Sequence, residues 1–250
     1  MLGETTKTLV GQALGLVAAP AAFVGSALRH GRLFHPRGEV CTGTVTADPE
    51  AKLSELGTRL QGEAIVRFSA GLHKSEVQRF EVLGCALRLH GSRNDQDLIF
   101  GTMKHLWSLP LAPLMTEGHD YFANHYYTVT SYKVARIGIV TLRLAPLTDG
   151  VAAGTTREDR LATRIAARTA AFAIEARRDG EDAWTRVATL DVQARREGPQ
   201  DDLAFSPENN GRGLEPIGVI NALRGVAYRA SQAGRRWARI TPRRSETHDA

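Results

Sequence analysis

Three residues near the C-terminal end of the sequence, Arg224, Tyr228 and Arg235, stand four and then seven positions apart. On an α-helix these spacings put all three on one face. A tyrosine oxygen binds ferric iron as phenolate, although its reference pKa is about 10. A guanidinium one turn away favours the charged form. A further arginine along the same face can pair bidentately with a carboxylate. The trio therefore reads as a proximal iron site. Tyr228 is the ligand, Arg224 keeps it anionic, and Arg235 takes a haem propionate.

Two earlier segments supply the opposite side of such a site. RLFHPRGEVCTGTV carries Arg32 and His35 just before the first strand. A histidine there can take a proton from a peroxide and return it to the leaving oxygen. AIVRFSAG carries Arg67 and Ser69 two positions apart. Period-two spacing puts both side chains on one face of a strand, aimed into one cavity.

Taken in order, these segments resemble the catalase-like haem protein superfamily. An arginine and a distal histidine precede a Gly-rich strand in that family, matched here by Arg32, His35, Gly38 and Gly43. Its V-R-F-S strand is matched by Val66, Arg67, Phe68 and Ser69. Gly84, Cys85, Ala86 and Arg88 loosely match a G-F-A-x-K strand, and Asp97, Leu98 and Ile99 a D-L-V-G segment. The proximal R-x-x-x-Y with a later arginine is matched by Arg224, Tyr228 and Arg235. The match is dense in residues 31–101 and 203–239, and the second stretch is similar to the shortened C-terminus of small catalase-related peroxidases.

The resemblance implies an α+β fold: an antiparallel catalase-like β-barrel with an N-terminal arm and C-terminal helices. It implies haem b as cofactor, with Arg32, Arg67 and Arg235 on the propionates. His35, Ser69 and Thr102 would line the distal side. One departure is chemical. Where the family carries an asparagine that helps hold peroxide, this chain has Gly101, followed by Thr102. The amide donor is missing, and Thr102 offers a hydroxyl in its place. The expected activity is therefore peroxidase-like, on organic or lipid hydroperoxides or weakly on hydrogen peroxide. Self-association is also implied. A haem-binding or haem-free protein of the same fold without turnover is the alternative.

Other residues suggest other chemistries. His119-Asp120 with His125 could belong to a metal-dependent phosphodiesterase, but such a site needs further His and Asp ligands at suitable spacing. Arg236, Arg239, Arg243 and Arg244 are not used by the haem reading and suit an anionic surface. No specific nucleic-acid motif accompanies them.

The elements that must position these residues follow from patterning. Residues 1–30 form an N-terminal helical arm, 31–240 the haem-binding domain and 241–250 a flexible tail. β-prone runs fall at 40–45, 63–69, 80–89, 97–100, 137–144, 172–178 and 184–194. A helix is expected over 157–169 and another from 217 to about 240. Residues 102–133 read as irregular, and 196–213 as a polar linker. Asp179-Gly180 marks a hairpin turn. Absence of βαβ alternation favours an antiparallel sheet or barrel.

With 250 residues, 42% hydrophobic and 24% charged, the chain has the composition of one globular domain. Its net charge of +5 favours anionic partners. Cys41 and Cys85 have no metal-type spacing and sit in apolar runs, which suits buried thiols; a disulfide stays open. They suggest a reducing, cytoplasmic setting. Residues 9–28 are mostly apolar but broken by Gln12 and Pro20. They suit a packed helix, or an anchor at a membrane surface.

Overall fold

A computed structural model describes residues 37–71, 81–92, 94–103, 111–128, 130–197, 203–206 and 208–217. The expected elements at 1–30, at 218–240 and in the tail lie outside these residues. So do Arg32, His35, Arg224, Tyr228 and Arg235.

The strands are β1 (Arg37–Ala47), β2 (Gly62–Ala70), β3 (Leu83–Leu89), β4 (Gln96–Gly101), β5 (Tyr126–Thr128), β6 (Ser131–Val134), β7 (Gly138–Pro146), β8 (Ala171–Arg178), β9 (Thr185–Arg195) and β10 (Leu214–Ile217). Among the described residues, eight of them close a barrel in the order β7-β5-β4-β3-β2-β1-β9-β8, with β8 returning to β7. Every pairing is antiparallel. β5 and β6 lie head to tail along one edge of β7, and β10 adds to β6. The antiparallel barrel with few helices agrees with the α+β expectation. Closure removes sheet edges that would otherwise pair with other chains.

Alternation decides the interior. Cys41, Val66, Phe68, Cys85, Leu87, Leu98, Phe100, Tyr126, Leu142, Leu144, Phe172, Ile174 and Leu190 come from alternate positions of the eight strands and form one buried cluster. Phe172 stands at its aromatic centre, stacked on Phe122 at 4.6 Å and edge-on to Tyr126 at 5.9 Å. Both cysteines are free and buried in this cluster. Burial pushes the Cys41 thiol up to about 12, and that of Cys85 higher still.

Short helices close the two ends. At one end lies α1 (Ser54–Leu60), with Leu56 and Leu60 buried. Gly57 brings it directly onto β9: a Cβ there would lie 2.2 Å from the Val187 carbonyl oxygen. At the other end lie α2 (Ala112–Met115), a single 3₁₀ turn (Tyr121–Ala123) and α3 (Arg157–Ala166). No helix among the described residues is long and apolar enough to cross a membrane.

Helix α3 starts where expected and stops three residues earlier. The Thr169 amide donates to the Arg164 carbonyl and the Arg168 amide to that of Ile165, with Arg168 at φ 57°. This pattern reverses the chain and ends the helix. Its start is a reciprocal cap. Asp159 N–H donates to Thr156 Oγ1 (3.1 Å), and Thr156 N–H to Asp159 Oδ2 (3.0 Å). Thr155 Oγ1 also donates to that carboxylate, and these bonds lower its pKa from 3.8 to about 2. A folded pKa below the unfolded one stabilises above pH 3.8, and the contribution fades as pH falls towards 2. Amide exchange in the first turn of α3 should therefore rise over that window. Asp159→Asn should abolish the dependence.

Three expectations need correction. Residues 102–133 are more regular than expected, holding α2, the 3₁₀ turn, β5 and β6. The stretch expected as a linker is pinned to the barrel where it is described. Gln96 Nε2 donates to the Asn209 and Leu214 carbonyls, and Asp97 N–H donates to Asn209 O. Ile217, placed at the start of a helix, is the last residue of β10; its carbonyl accepts from Thr130 Oγ1 at 2.6 Å.

Candidate functional site on the barrel wall

On β2, Ala64, Val66, Phe68 and Ala70 join the interior cluster, so Ile65, Arg67 and Ser69 face outwards. Arg67 and Ser69 share a face, as expected, and it is the outer one. That face is nonetheless buried: Arg67 is 7% and Ser69 4% exposed.

Strand register gives their neighbours. Arg67 lies between Val40 of β1 and Ala86 of β3. Ser69 lies between Gly38 and Gly84, and Gly84 lies opposite Gly101 of β4. Ser69 Oγ donates to the Gly84 carbonyl at a long 3.4 Å. The row Gly38-Ser69-Gly84-Gly101 is thus nearly free of side chains, with one guanidinium beside it. Gly101 has room for a side chain: an added Cβ would make only ordinary contacts, the closest 3.7 Å from Met103 Cε.

Gly38 sets the position of Arg67. A Cβ there would sit 2.3 Å from the Phe68 carbonyl oxygen and 2.9 Å from Arg67 Nη2. The first clash is with backbone, so β1 and β2 would have to separate. Gly38→Ala should cost about 1–3 kcal/mol in urea unfolding, the usual range for overpacking.

Thr102 continues the β3–β4 ladder by one rung. Its amide donates to the Leu83 carbonyl (3.0 Å), and its hydroxyl accepts from Leu83 N–H (3.2 Å). The same hydroxyl pairs with Thr116 Oγ1 at 2.8 Å. Thr116 spends its one proton on the Ala112 carbonyl (2.8 Å), so the Thr102 proton serves the contact between the two hydroxyls.

Asp97 and Arg88 share the outer face, one pair of strands along. Arg88 grips the carboxylate bidentately, with both bonds at 2.7 Å. Ser206 N–H (2.8 Å) and Asn209 Nδ2 (2.9 Å) donate to the same carboxylate. Arg88 also donates to the Ala204 carbonyl and lies 5.0 Å over the Phe205 ring. The sequence match at Asp97 picked out the residue. It gave no sign that its partners lie beyond position 203.

His119-Asp120 has a structural role. Asp120 Oδ1 caps the 3₁₀ turn by accepting from Phe122 N–H (2.8 Å), while Oδ2 accepts from the buried Arg164 at 3.3 Å. The His119 carbonyl accepts from Arg160. His125 lies 6.4 Å from the Tyr127 ring, and burial followed by nearby Arg143 lowers its pKa. Among the described residues no group of three or more His, Cys, Asp or Glu could hold a metal ion.

A second outer-face cluster had no sequence signal. Arg143 pairs with Glu175 across β7 and β8, and Trp184 lies beneath both Arg143 and Arg177 at 4.5 and 5.0 Å. It forms because alternate positions of β7 and β8 meet Trp184, the residue before β9, on one face.

No known family model matches the chain, and no curated protein matches it either.

Proposed function

We propose that this barrel seats haem b against its outer wall and acts as a peroxidase on organic or lipid hydroperoxides. The observation that carries the reading is the buried pair Arg67 and Ser69 on the outer face of β2, beside a row containing Gly38, Gly84 and Gly101. A porphyrin is flat, mostly apolar and carries two carboxylates. A sheet face without side chains permits close approach, and a buried guanidinium suits a propionate. The described residues fit the group on these grounds.

When bound, the iron supplies the redox centre that takes up the oxidising power of the peroxide. The remaining roles belong to the chain. Tyr228 binds as phenolate, and Arg224 keeps it deprotonated. Arg32, Arg67 and Arg235 hold the propionates. His35 accepts the proton of the hydroperoxide and returns it to the leaving oxygen, a form of acid–base catalysis. Ser69 and Thr102 add hydroxyl groups on the distal side. Gly101 leaves space where an amide would bind a small peroxide, which favours a bulkier hydroperoxide.

Gly101 also favours a second reading, haem binding without turnover. Peroxide turnover unchanged in His35→Ala would select it. The test of the main reading is an absorbance spectrum of protein expressed with ample haem. A high-spin ferric Soret band that shifts or vanishes in Tyr228→Phe is the expected result. Wild-type protein without haem would overturn it.

A further inference from the structure

The large apolar side chains that this barrel exposes are concentrated at one end. Leu111 (52% exposed), Leu114 (67%) and Met115 (78%) lie on α2 and the residue before it. Leu147 (42%) and Val151 (70%) lie in the connection from β7 to α3. Among the described residues only Ile139, near the start of β7, is exposed elsewhere, at 37%.

Both connections leave the barrel at the same end. Gly101 closes β4 opposite Tyr127, and the neighbouring Tyr126 pairs with Leu144 near the end of β7. The two loops are also tied together. Asn124 Nδ2 donates to the Glu117 and Asp120 carbonyls, while Arg164 joins Asp120 to the Gly150 carbonyl. Thr116 Oγ1 donates back to the Ala112 carbonyl of α2 and pairs with the Thr102 hydroxyl, which ties α2 to the end of β4. With Ala112 buried, Leu114 and Met115 are held outwards. An apolar cluster held outwards on tethered loops marks a contact surface.

The ends of the described chain point to its occupant. β1 begins at this end, since Arg37 pairs with Ala70 and Ala70 with Leu83. β10 runs towards it, from Leu214 opposite Val134 to Ile217 opposite Ser131. The sequence preceding β1 contains the apolar stretch 9–28. Between Arg224 and Arg244 the sequence following β10 contains seven arginines and no Asp or Glu, and Arg236, Arg239, Arg243 and Arg244 among them have no part in the haem reading. Apolar loop tips and an acid-free basic stretch together match a bilayer with anionic headgroups. A second copy of the chain would cover the apolar tips but, at net charge +5, would oppose like charge to the arginines.

We infer that this end of the barrel docks on an anionic lipid surface through Leu111, Leu114, Met115, Leu147 and Val151. The inference does not rest on the haem reading, because its readout is sedimentation. Full-length protein is spun with vesicles of phosphatidylcholine alone, or of phosphatidylcholine and phosphatidylserine in equal parts. Wild type is expected to sediment with the anionic vesicles, less with the neutral ones and less at high salt. Leu114→Glu with Met115→Glu should weaken partitioning at least about tenfold, since two inserted apolar side chains are lost. Val151→Glu, on the other loop, should weaken it independently. The altered side chains are exposed, and circular dichroism checks that the variants fold. Wild type remaining in solution with both vesicles, or both variants sedimenting like wild type, would overturn the inference. So would a dimer that the double variant splits without any vesicle binding.

Discussion

Asp97→Ala is expected to destabilise the barrel by about 3–5 kcal/mol, the range for removing one partner of a buried ion pair. Asp97 is 0% exposed, and its carboxylate takes two bonds from Arg88 and one each from Ser206 and Asn209. Removing it leaves the 13% exposed Arg88 without its strongest counter-charge. It also frees the segment around Ser206 and Asn209 from β4. Asp97→Asn should recover little, because an amide cannot accept from both guanidinium nitrogens. Urea unfolding measures the loss. On the haem reading, the Soret band provides a second readout, since the pinned segment leads through β10 towards Tyr228. A variant as stable as wild type would show that the clamp contributes nothing.

Phe172→Ala should cost about 3–5 kcal/mol, the range for emptying a buried aromatic site. Phe172 is fully buried and touches rings from three directions: Phe68 at 6.1 Å, Phe122 at 4.6 Å and Tyr126 at 5.9 Å. These neighbours come from β2, the 3₁₀ turn and β5, so no single segment can move to fill the space. Phe172→Leu should recover about half of the loss, as it restores volume without the stacking. Thermal or urea unfolding of the pair separates the two contributions. A loss below about 1 kcal/mol for Phe172→Ala would mean that the barrel end collapses freely onto the cavity.

The sequence made several things legible by itself. β-prone composition bounded by turn residues located the long strands β1, β2, β3, β4, β8 and β9, and clear apolar alternation located β7. Asp179-Gly180 marked the β8–β9 turn, and Gly180 takes up φ +80° there. The spacing of Arg67 and Ser69 put them on one face. The apolar setting of Cys41 and Cys85 anticipated buried thiols. Each of these depends on neighbours along the chain, where spacing carries the information.

Tertiary structure alone decided the rest. Alternation cannot say which face of a closed barrel points inwards when both faces are buried, so Arg67 and Ser69 were assigned a shared face without a side. β5, β6 and β10 span three or four residues each and gain their strand character from the edges they pair with. The bonds from Asp97 to Ser206 and Asn209 cross 109 and 112 positions. No local pattern records them, since a carboxylate reads the same whether its donors are near or far in sequence. His119-Asp120 shows the converse: a dipeptide suggestive of a metal site becomes a turn cap once Arg164 arrives from α3. Likewise, two loops with scattered leucines form one exposed apolar end only because barrel closure brings the ends of β4 and β7 to the same side.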